Sequence, residues 1–259
     1  MNKIFIEVFE GMSREEQLIM AKEIGYEGYF SNPDCASDTE ELAKYRKQGD
    51  ALGLTFETIH GTIPGCSDIW FEGQAGDDYI EVLLREIDNC VAFNVPILII
   101  HVQTDMREGT RFELGAKRYA PVIAKAKEKG IKIAIENADD EAYLYKMLEY
   151  FDEPHVGFCY DSGHESSVTQ GAHYLPRVGN RLFCTHLHDN DGTKDQHKLP
   201  FDGIIDFEQM AKDFKAIGWK GNLTFELRYD DAYAQKYSKR EFLEECYKRA
   251  IKLRDMIHA

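Results

Sequence analysis

The sequence lacks any apolar run long enough to cross a lipid bilayer, which takes about 20 consecutive apolar residues. Its N-terminal stretch, MNKIFIEVFEGMSREE, meets acidic residues too early to act as a signal peptide. Hydrophobic residues nevertheless make up 43% of the chain, which is enough for a sizeable core. These features predict a cytoplasmic protein without a membrane partner.

Basic residues are too few to balance the acidic ones. The chain has 31 Lys and Arg against 46 Asp and Glu, which gives a formal net charge of −15. Proteins that bind nucleic acid through its phosphates usually present a basic face. Because the basic residues here are scattered, a nucleic-acid partner is disfavoured, although a local basic groove is not excluded.

The six cysteines lack the CxxC spacing of zinc knuckles and the pattern of a disulfide framework. We therefore expect most of them to be reduced, partly buried thiols. They are Cys35, Cys66, Cys90, Cys159, Cys184 and Cys246.

A short β-rich run followed by a longer amphipathic run occurs eight times. The predicted strands span 3–9, 27–31, 55–60, 96–102, 131–137, 156–161, 182–188 and 222–228. The predicted helices begin with a capping box at Ser13 and Glu16 and continue at 39–53, 78–93, 115–130, 140–151, 169–178, 206–218 and 238–258. Eight such units predict one (β/α)8 TIM barrel domain over residues 1–259. An open doubly wound sheet is the alternative, but it often has a Gly-rich phosphate loop after the first strand, which FEGMSRE lacks.

Six consecutive predicted strands carry a histidine or a carboxylate at or near their C-terminal ends. These residues are His60, His101, Glu136, Asp161, His186 and Glu226. In a TIM barrel the active site is built at the C-terminal ends of the strands. Residues two apart in a strand share a face, and the residues two before the last four are the small Ala134, Cys159, Cys184 and Thr224. The last four polar side chains should therefore converge inside the barrel mouth.

Converging carboxylates are costly to bury, because they repel each other and lose solvation. A divalent cation would offset both costs. Mixed carboxylate and imidazole ligands suit Mn, Zn, Co or Fe better than Ca, and Mg is less favoured.

The loop after the seventh strand carries a D-x-H pair, Asp195 and His197, which an extended loop could turn to one side. An ordinary polar loop capped by Asp206 is the alternative. His188 shares strand parity with His186 but lies higher, and is less informative. His164, in CYDSGH, could reach towards a ligand on the metal.

Other side chains near the predicted mouth could contact a substrate. Phe9, Trp70 and Phe71 could form an apolar wall over a sugar ring, or could simply pack a lid. Arg228 could hold a substrate oxygen or phosphate, or could pair with nearby acids.

The motifs IAIEN, CYDSGH, THLHDND, DQHKLPFDGIID and TFELRY resemble, in this order, the sugar phosphate isomerase/epimerase superfamily of xylose isomerase-like TIM barrels. The type-IV apurinic endonucleases also belong to it. In the sugar-acting branch the resemblance implies one divalent metal, with the ligands Glu136, Asp161, His186 and Glu226. It also implies that the two glutamates move protons and that His164 contacts the substrate, and His60, His101, His197 and Arg228 are further substrate-binding candidates.

This branch implies a metal-dependent sugar isomerase or epimerase of carbohydrate metabolism, with manganese or zinc among the candidate metals. The metal would stabilise an enediolate, and a carboxylate would remove the α-proton. Proton return from the opposite face gives epimerisation, and return to the neighbouring carbon gives isomerisation. The absence of a Gly-rich phosphate cradle favours a sugar or polyol without phosphate.

The endonuclease branch is the main alternative. It would hold three zinc ions on His60, His101, Glu136, Asp161, His164, His186, Asp195, His197 and Glu226. The net charge argues against it, and so do GTIPGCSD and VQTDMREGT, which are poor in basic and wedge residues where DNA would be clamped. A polyol dehydratase of the inosose type would use the same enediolate chemistry, whereas a non-catalytic binding protein would not need converging proton-transfer groups. The long loops after strands three and seven could also contact a second subunit of a homo-oligomer.

Overall fold

The computed structural model describes residues 1–103, 108–138 and 140–259. Its strands are β1 (Ile4–Val8), β2 (Gly28–Ser31), β3 (Thr55–His60), β4 (Ile97–Ile100), β5 (Lys132–Glu136), β6 (Val156–Asp161), β7 (Leu182–His186) and β8 (Leu223–Leu227). Its helices are α1 (Arg14–Ile24), α2 (Thr39–Leu52), α3 (Gln74–Ala92), α4 (Phe112–Lys129), α5 (Glu141–Tyr150), α6 (Ser162–Ser167), α7 (Tyr174–Val178), α8 (Phe207–Ala216), α9 (Asp231–Ala234) and α10 (Lys239–His258).

The strands form one sheet in the order β7-β6-β5-β4-β3-β2-β1-β8. β1 pairs in parallel with both β2 and β8, so the first and last strands of the chain are neighbours. Parallel strands alternating with helices in this order form a (β/α)8 TIM barrel. The predicted fold class is therefore confirmed, and the doubly wound alternative is wrong.

The chain divides into two compact units, each made of separate stretches of sequence. The first unit comprises Met1–Phe30, Lys44–Phe56 and Tyr160–Ala259, and the second comprises Ser31–Ala43 and Glu57–Cys159. The core of the first unit includes the fully buried Phe214, Phe225 and Phe242, and that of the second includes Trp70, Tyr119 and Phe158.

Local sequence signals explain where several helices begin and end. α1 and α10 each start with a capping box, formed by Ser13 with Glu16 and by Ser238 with Glu241. α4 ends at Gly130, whose φ of 73° lies in the left-handed region that favours glycine. The first of these capping boxes and the end at Gly130 were predicted from the sequence, and the structure confirms both.

Two features of the later strand–helix units differ from the sequence prediction. The helix predicted at 169–178 is wrong in its first half, because Gly171 and His173 have φ values of 84° and 51°, which interrupt a right-handed helix. Helix α6 lies before this break and α7 after it. β7 ends at His186, two residues earlier than predicted, and isolated bridges join Leu187 to Phe225 and Asp189 to Lys198.

All six cysteines are buried thiols rather than members of disulfides, whereas only partial burial was expected for most of them. Among the residues that the structure describes, no helix combines the length and the apolar character that a bilayer crossing requires.

Candidate metal site

Three predicted ligands of the first unit come together at the ends of β6, β7 and β8. Asp161, His186 and Glu226 each offer one donor atom, and these atoms lie within 4.8 Å of one another. All three side chains are buried, and Nδ1 of His186 lies 3.5 Å from Oε2 of Glu226. The His186 ring stacks on Phe30 at a centroid distance of 4.5 Å, which holds its orientation. Two carboxylates and an imidazole in one buried cluster could hold a divalent cation.

The backbone around Asp161 orients its carboxylate. Asp161 is the N-cap of α6, and its Oδ1 accepts a hydrogen bond of 2.6 Å from the backbone N–H of His164. Its Oδ2 lies 3.1 Å from Nε2 of His188. Each oxygen of this carboxylate therefore has a fixed partner on the protein.

His188 belongs to the site, although the sequence pattern made it less informative than His186. It is completely buried, its ring stacks on His197 at a centroid distance of 4.0 Å, and its Nε2 also lies 3.6 Å from Oδ1 of Asp195. Its parity with His186 was a usable signal. The partner Asp161 lies 27 residues earlier in the chain, however, and sequence spacing does not reveal that contact.

The D-x-H pair in the loop after β7 brings its two side chains together. Nε2 of His197 lies 2.5 Å from Oδ2 of Asp195. Nε2 of His164 lies 3.6 Å from the same oxygen. His188, His197 and Glu226 also form a cluster with one donor atom each within 4.8 Å of one another. The first unit thus contains a second group of potential ligands beside the first.

Burial and neighbouring charges perturb this histidine cluster. Burial and the neighbouring His188 lower the pKa of His197 to about 4, against a smaller opposing effect of Asp195. Burial also disfavours the charged form of His188, but Asp161 and then Asp195 outweigh it and raise the pKa of His188. Burial opposes ionisation of Asp195 too, yet hydrogen bonds from His164 and His197 hold its pKa well below its ordinary value.

A buried carboxylate, Asp189, organises the same loop. Its side chain accepts hydrogen bonds from the backbone N–H groups of Asn190 at 2.8 Å, Gly203 at 2.8 Å and Ile205 at 3.1 Å. Its own backbone exchanges two hydrogen bonds with Lys198. Asp189 therefore has a structural role, and the segment that carries Asp195 and His197 is fixed at both of its ends.

The second unit contains its own cluster of predicted ligands. Nε2 of His60 and Nε2 of His101 lie 3.3 Å and 3.4 Å from Oε2 of Glu136. The two imidazole rings are 5.0 Å apart between centroids, and all three side chains are buried. Their donor atoms lie within 4.8 Å of one another, so this cluster could also bind a cation.

The remaining predicted residues are the proposed substrate contact Arg228 and the aromatic residues near the barrel mouth. Arg228 places its guanidinium carbon 4.9 Å from the Phe9 ring centroid and its Nε 3.3 Å from Oε2 of Glu10, so it pairs with an acid. Trp70 is fully buried, and its ring packs edge-on against Tyr143 at 4.6 Å. It therefore packs within the protein, in agreement with the alternative to a wall over the sugar ring. Of the segment VQTDMREGT, residues 104–107 lie outside the described residues.

Residues 18–249 match the family model described as xylose isomerase-like TIM barrel. The chain belongs to this family. An uncharacterized relative, y4fM of Sinorhizobium fredii (strain NBRC 101917 / NGR234), is 32% identical over 285 residues, covering 96% of this chain and 90% of that protein. The resemblance inferred from the motifs is thereby confirmed.

Solved structures of the same fold include sugar epimerases. D-psicose 3-epimerase from Clostridium cellulolyticum H10, with D-tagatose, superposes with a TM-score of 0.78 at 10% identity, covering 99% of each chain. 3-keto-D-glucoside 4-epimerase, YcjR, from E. coli superposes with a TM-score of 0.75 at 15% identity, covering 97% of this chain and all of that one. At these identities the superpositions show the shared fold.

Proposed function

We propose that this member of the family is a divalent-metal-dependent sugar isomerase or epimerase. The observation that carries the proposal is the buried convergence of Asp161, His186 and Glu226 at three strand ends. The active site of a TIM barrel is built at this end of the strands. Structural neighbours that are sugar epimerases support the substrate class.

Glu136 is the proposed fourth ligand. It ends β5, which is next to β6 in the sheet, and it is in register with Cys159. Asp161 lies two residues beyond Cys159 on the same strand, and therefore on the same face. The family match across 18–249 spans every boundary between the two units, so we also propose that they form a single domain.

The donor set fits a transition metal better than Ca or Mg, because it contains an imidazole together with carboxylates. When bound, such a cation would supply electrophilic stabilisation of an enediolate formed from the substrate. Glu136 and Glu226 would remove and return the proton on the substrate carbon. Return to the same carbon from the opposite face would give an epimer, and return to the neighbouring carbon would give an isomer.

Histidines around this donor set would bind substrate hydroxyl groups. The His164 side chain is 15% exposed, so it can reach a ligand in the mouth. His197 packs edge-on against Phe9 at 4.7 Å, which places an apolar ring next to a polar one. Small-molecule sites commonly combine an apolar surface with a few polar groups in this way. We propose His60, His101 and Arg228 as further substrate contacts.

The test is hydrogen exchange at the substrate carbon. Glu136→Gln and Glu226→Gln keep the side-chain shape and remove the base, so each should abolish incorporation of deuterium from D2O into ketoses and aldoses, followed by NMR. Glu165→Gln is the matched control, because Glu165 is also near a strand end but accepts a hydrogen bond from Tyr160. Wild-type exchange by either of the first two variants would refute the proposed roles.

A three-zinc phosphodiesterase is the second candidate. The clusters of His60 and His101 with Glu136, and of His164 and His197 with Asp195, are the extra ligands that it would need. Elemental analysis of protein purified without chelator separates the two functions. About one metal ion per chain supports the sugar enzyme, whereas close to three zinc ions would support the phosphodiesterase and direct the next assay to abasic DNA.

A polyol dehydratase would share the single metal ion. Release of a product that has lost one water molecule, detected by mass spectrometry, would identify it.

A further inference from the structure

His188 has no role in the proton transfers proposed above. Its backbone and its ring are nevertheless both fixed by specific contacts. Its backbone N–H donates to Oγ of Ser162 at 3.0 Å, and that hydroxyl donates to the backbone carbonyl of His188 at 2.7 Å. The end of β6 and the segment after β7 are therefore clipped together at this residue.

The ring of His188 is confined as tightly as its backbone. One face stacks on His197 with an interplanar angle of 13°. Gly163 leaves the space that the ring occupies, because a Cβ at this position would lie 1.9 Å from Cε1 of His188. Position 163 therefore requires glycine because the ring of His188 occupies the space that a side chain would need.

The confined ring aims one atom at a proposed metal ligand. Nε2 of His188 lies 3.1 Å from Oδ2 of Asp161, while the other oxygen is held by the N-terminus of α6. The Asp161 carboxylate therefore cannot rotate without breaking one of two hydrogen bonds. Groups that orient metal-binding carboxylates in this way commonly change metal affinity by about 10–100-fold when removed.

We propose that His188 is a positioning residue, which fixes the Asp161 carboxylate for metal binding by holding its Oδ2. This inference rests on the proposed function, in which Asp161 is a ligand. His188 is not a ligand of the ion that Asp161 binds in this scheme, because its Nε2 is directed at the Asp161 carboxylate; its place beside His197 and Glu226 would concern a second ion.

Two substitutions separate positioning from packing. In His188→Gln the amide nitrogen falls near the place of Nε2 and can still donate to Asp161. In His188→Asn the amide nitrogen falls near Nδ1, so the polar group remains and the reach is lost. The two variants are both smaller than histidine and both polar, which makes each a control for the other.

The experiment measures Co2+ binding to the metal-free protein, by titration of the visible absorption of the bound ion. We expect His188→Asn to weaken the dissociation constant by about 10–100-fold and to alter the spectrum, and His188→Gln to stay close to wild type. The free energy of unfolding of the metal-free variants is measured in parallel, and it should change similarly in both.

Three results would overturn the inference. Wild-type affinity and spectrum in His188→Asn would show that Asp161 needs no orientation by His188. Equal losses of affinity in both variants would show that only packing matters. A wild-type protein that binds no Co2+ and contains no other divalent metal would overturn the proposed function itself, which separates that failure from the first two.

Discussion

The contact between Gly163 and His188 gives a prediction whose size follows from the structure. In Gly163→Ala the new methyl carbon would lie 1.9 Å from Cε1, 2.5 Å from Nδ1 and 2.7 Å from Nε2 of His188. The ring cannot simply retreat, because His197 stacks on it at 4.0 Å. We therefore expect an overpacking cost of about 1–3 kcal/mol in the free energy of unfolding.

The same substitution should also break the contact between His188 and Asp161. A hydrogen bond to a charged group contributes about 1.5–3 kcal/mol, so the two effects together outweigh the gain of up to about 1 kcal/mol that alanine has over glycine in a helix. In the His188→Ala background there is no ring to meet. There, Gly163→Ala should be neutral or stabilising.

A double-mutant cycle with urea unfolding, followed by circular dichroism, measures this coupling. We expect a coupling energy of about 2.5–6 kcal/mol between Gly163→Ala and His188→Ala, because the overpacking cost and the hydrogen-bond loss are both absent without the ring. Ser166→Ala, in the same helix, provides the control and should be additive with His188→Ala. A coupling energy below about 0.5 kcal/mol for the first pair would refute the packing argument.

Two further predictions concern the second unit. Burial raises the pKa of Glu86 despite hydrogen bonds from Thr62 and Ser37, so the folded chain binds its proton more tightly than the unfolded chain and the free energy of unfolding should fall as pH rises from 4.5 through the folded pKa. Glu86→Gln should flatten this dependence in urea titrations over a pH series, and an unchanged slope would contradict the assignment. Nε1 of Trp70 donates to the carbonyl of Val102, and Trp70→Phe leaves that buried acceptor without its donor. This substitution should cost about 1–3 kcal/mol in urea unfolding, and a loss below about 0.5 kcal/mol would show that the hydrogen bond is dispensable.

Strand periodicity and strand ends could be predicted from the sequence because they depend on local pattern. Every predicted strand is present, and the alternation that placed small residues below Asp161 and His186 also identified the buried cluster at their ends. Helix α6 was not predicted, and the helix predicted over 169–178 starts only at Tyr174, since nothing in the sequence required His173 to adopt a positive φ.

The role of His188 could not be predicted because it depends on contacts between distant segments. Its partners Ser162 and Gly163 belong to the strand-six motif, and only the folded chain brings that motif against the segment after β7. Aromatic residues show the same limit. Trp70 could equally have been a substrate wall, and its complete burial was decided by tertiary packing.

The hydrogen bonds of the Asp189 side chain affect how the loop after β7 can change during evolution. The Asp189 carboxylate accepts hydrogen bonds from the backbone N–H groups of Asn190 and Gly203, so the two ends of the loop between them lie close together. A stretch closed in this way can be lengthened, shortened or exchanged for another without moving the strand that precedes it. Because Asp195 and His197 lie within the stretch, exchanging residues between 191 and 197 would change the chemistry above the strand ends while Lys198 keeps its backbone pairing with Asp189.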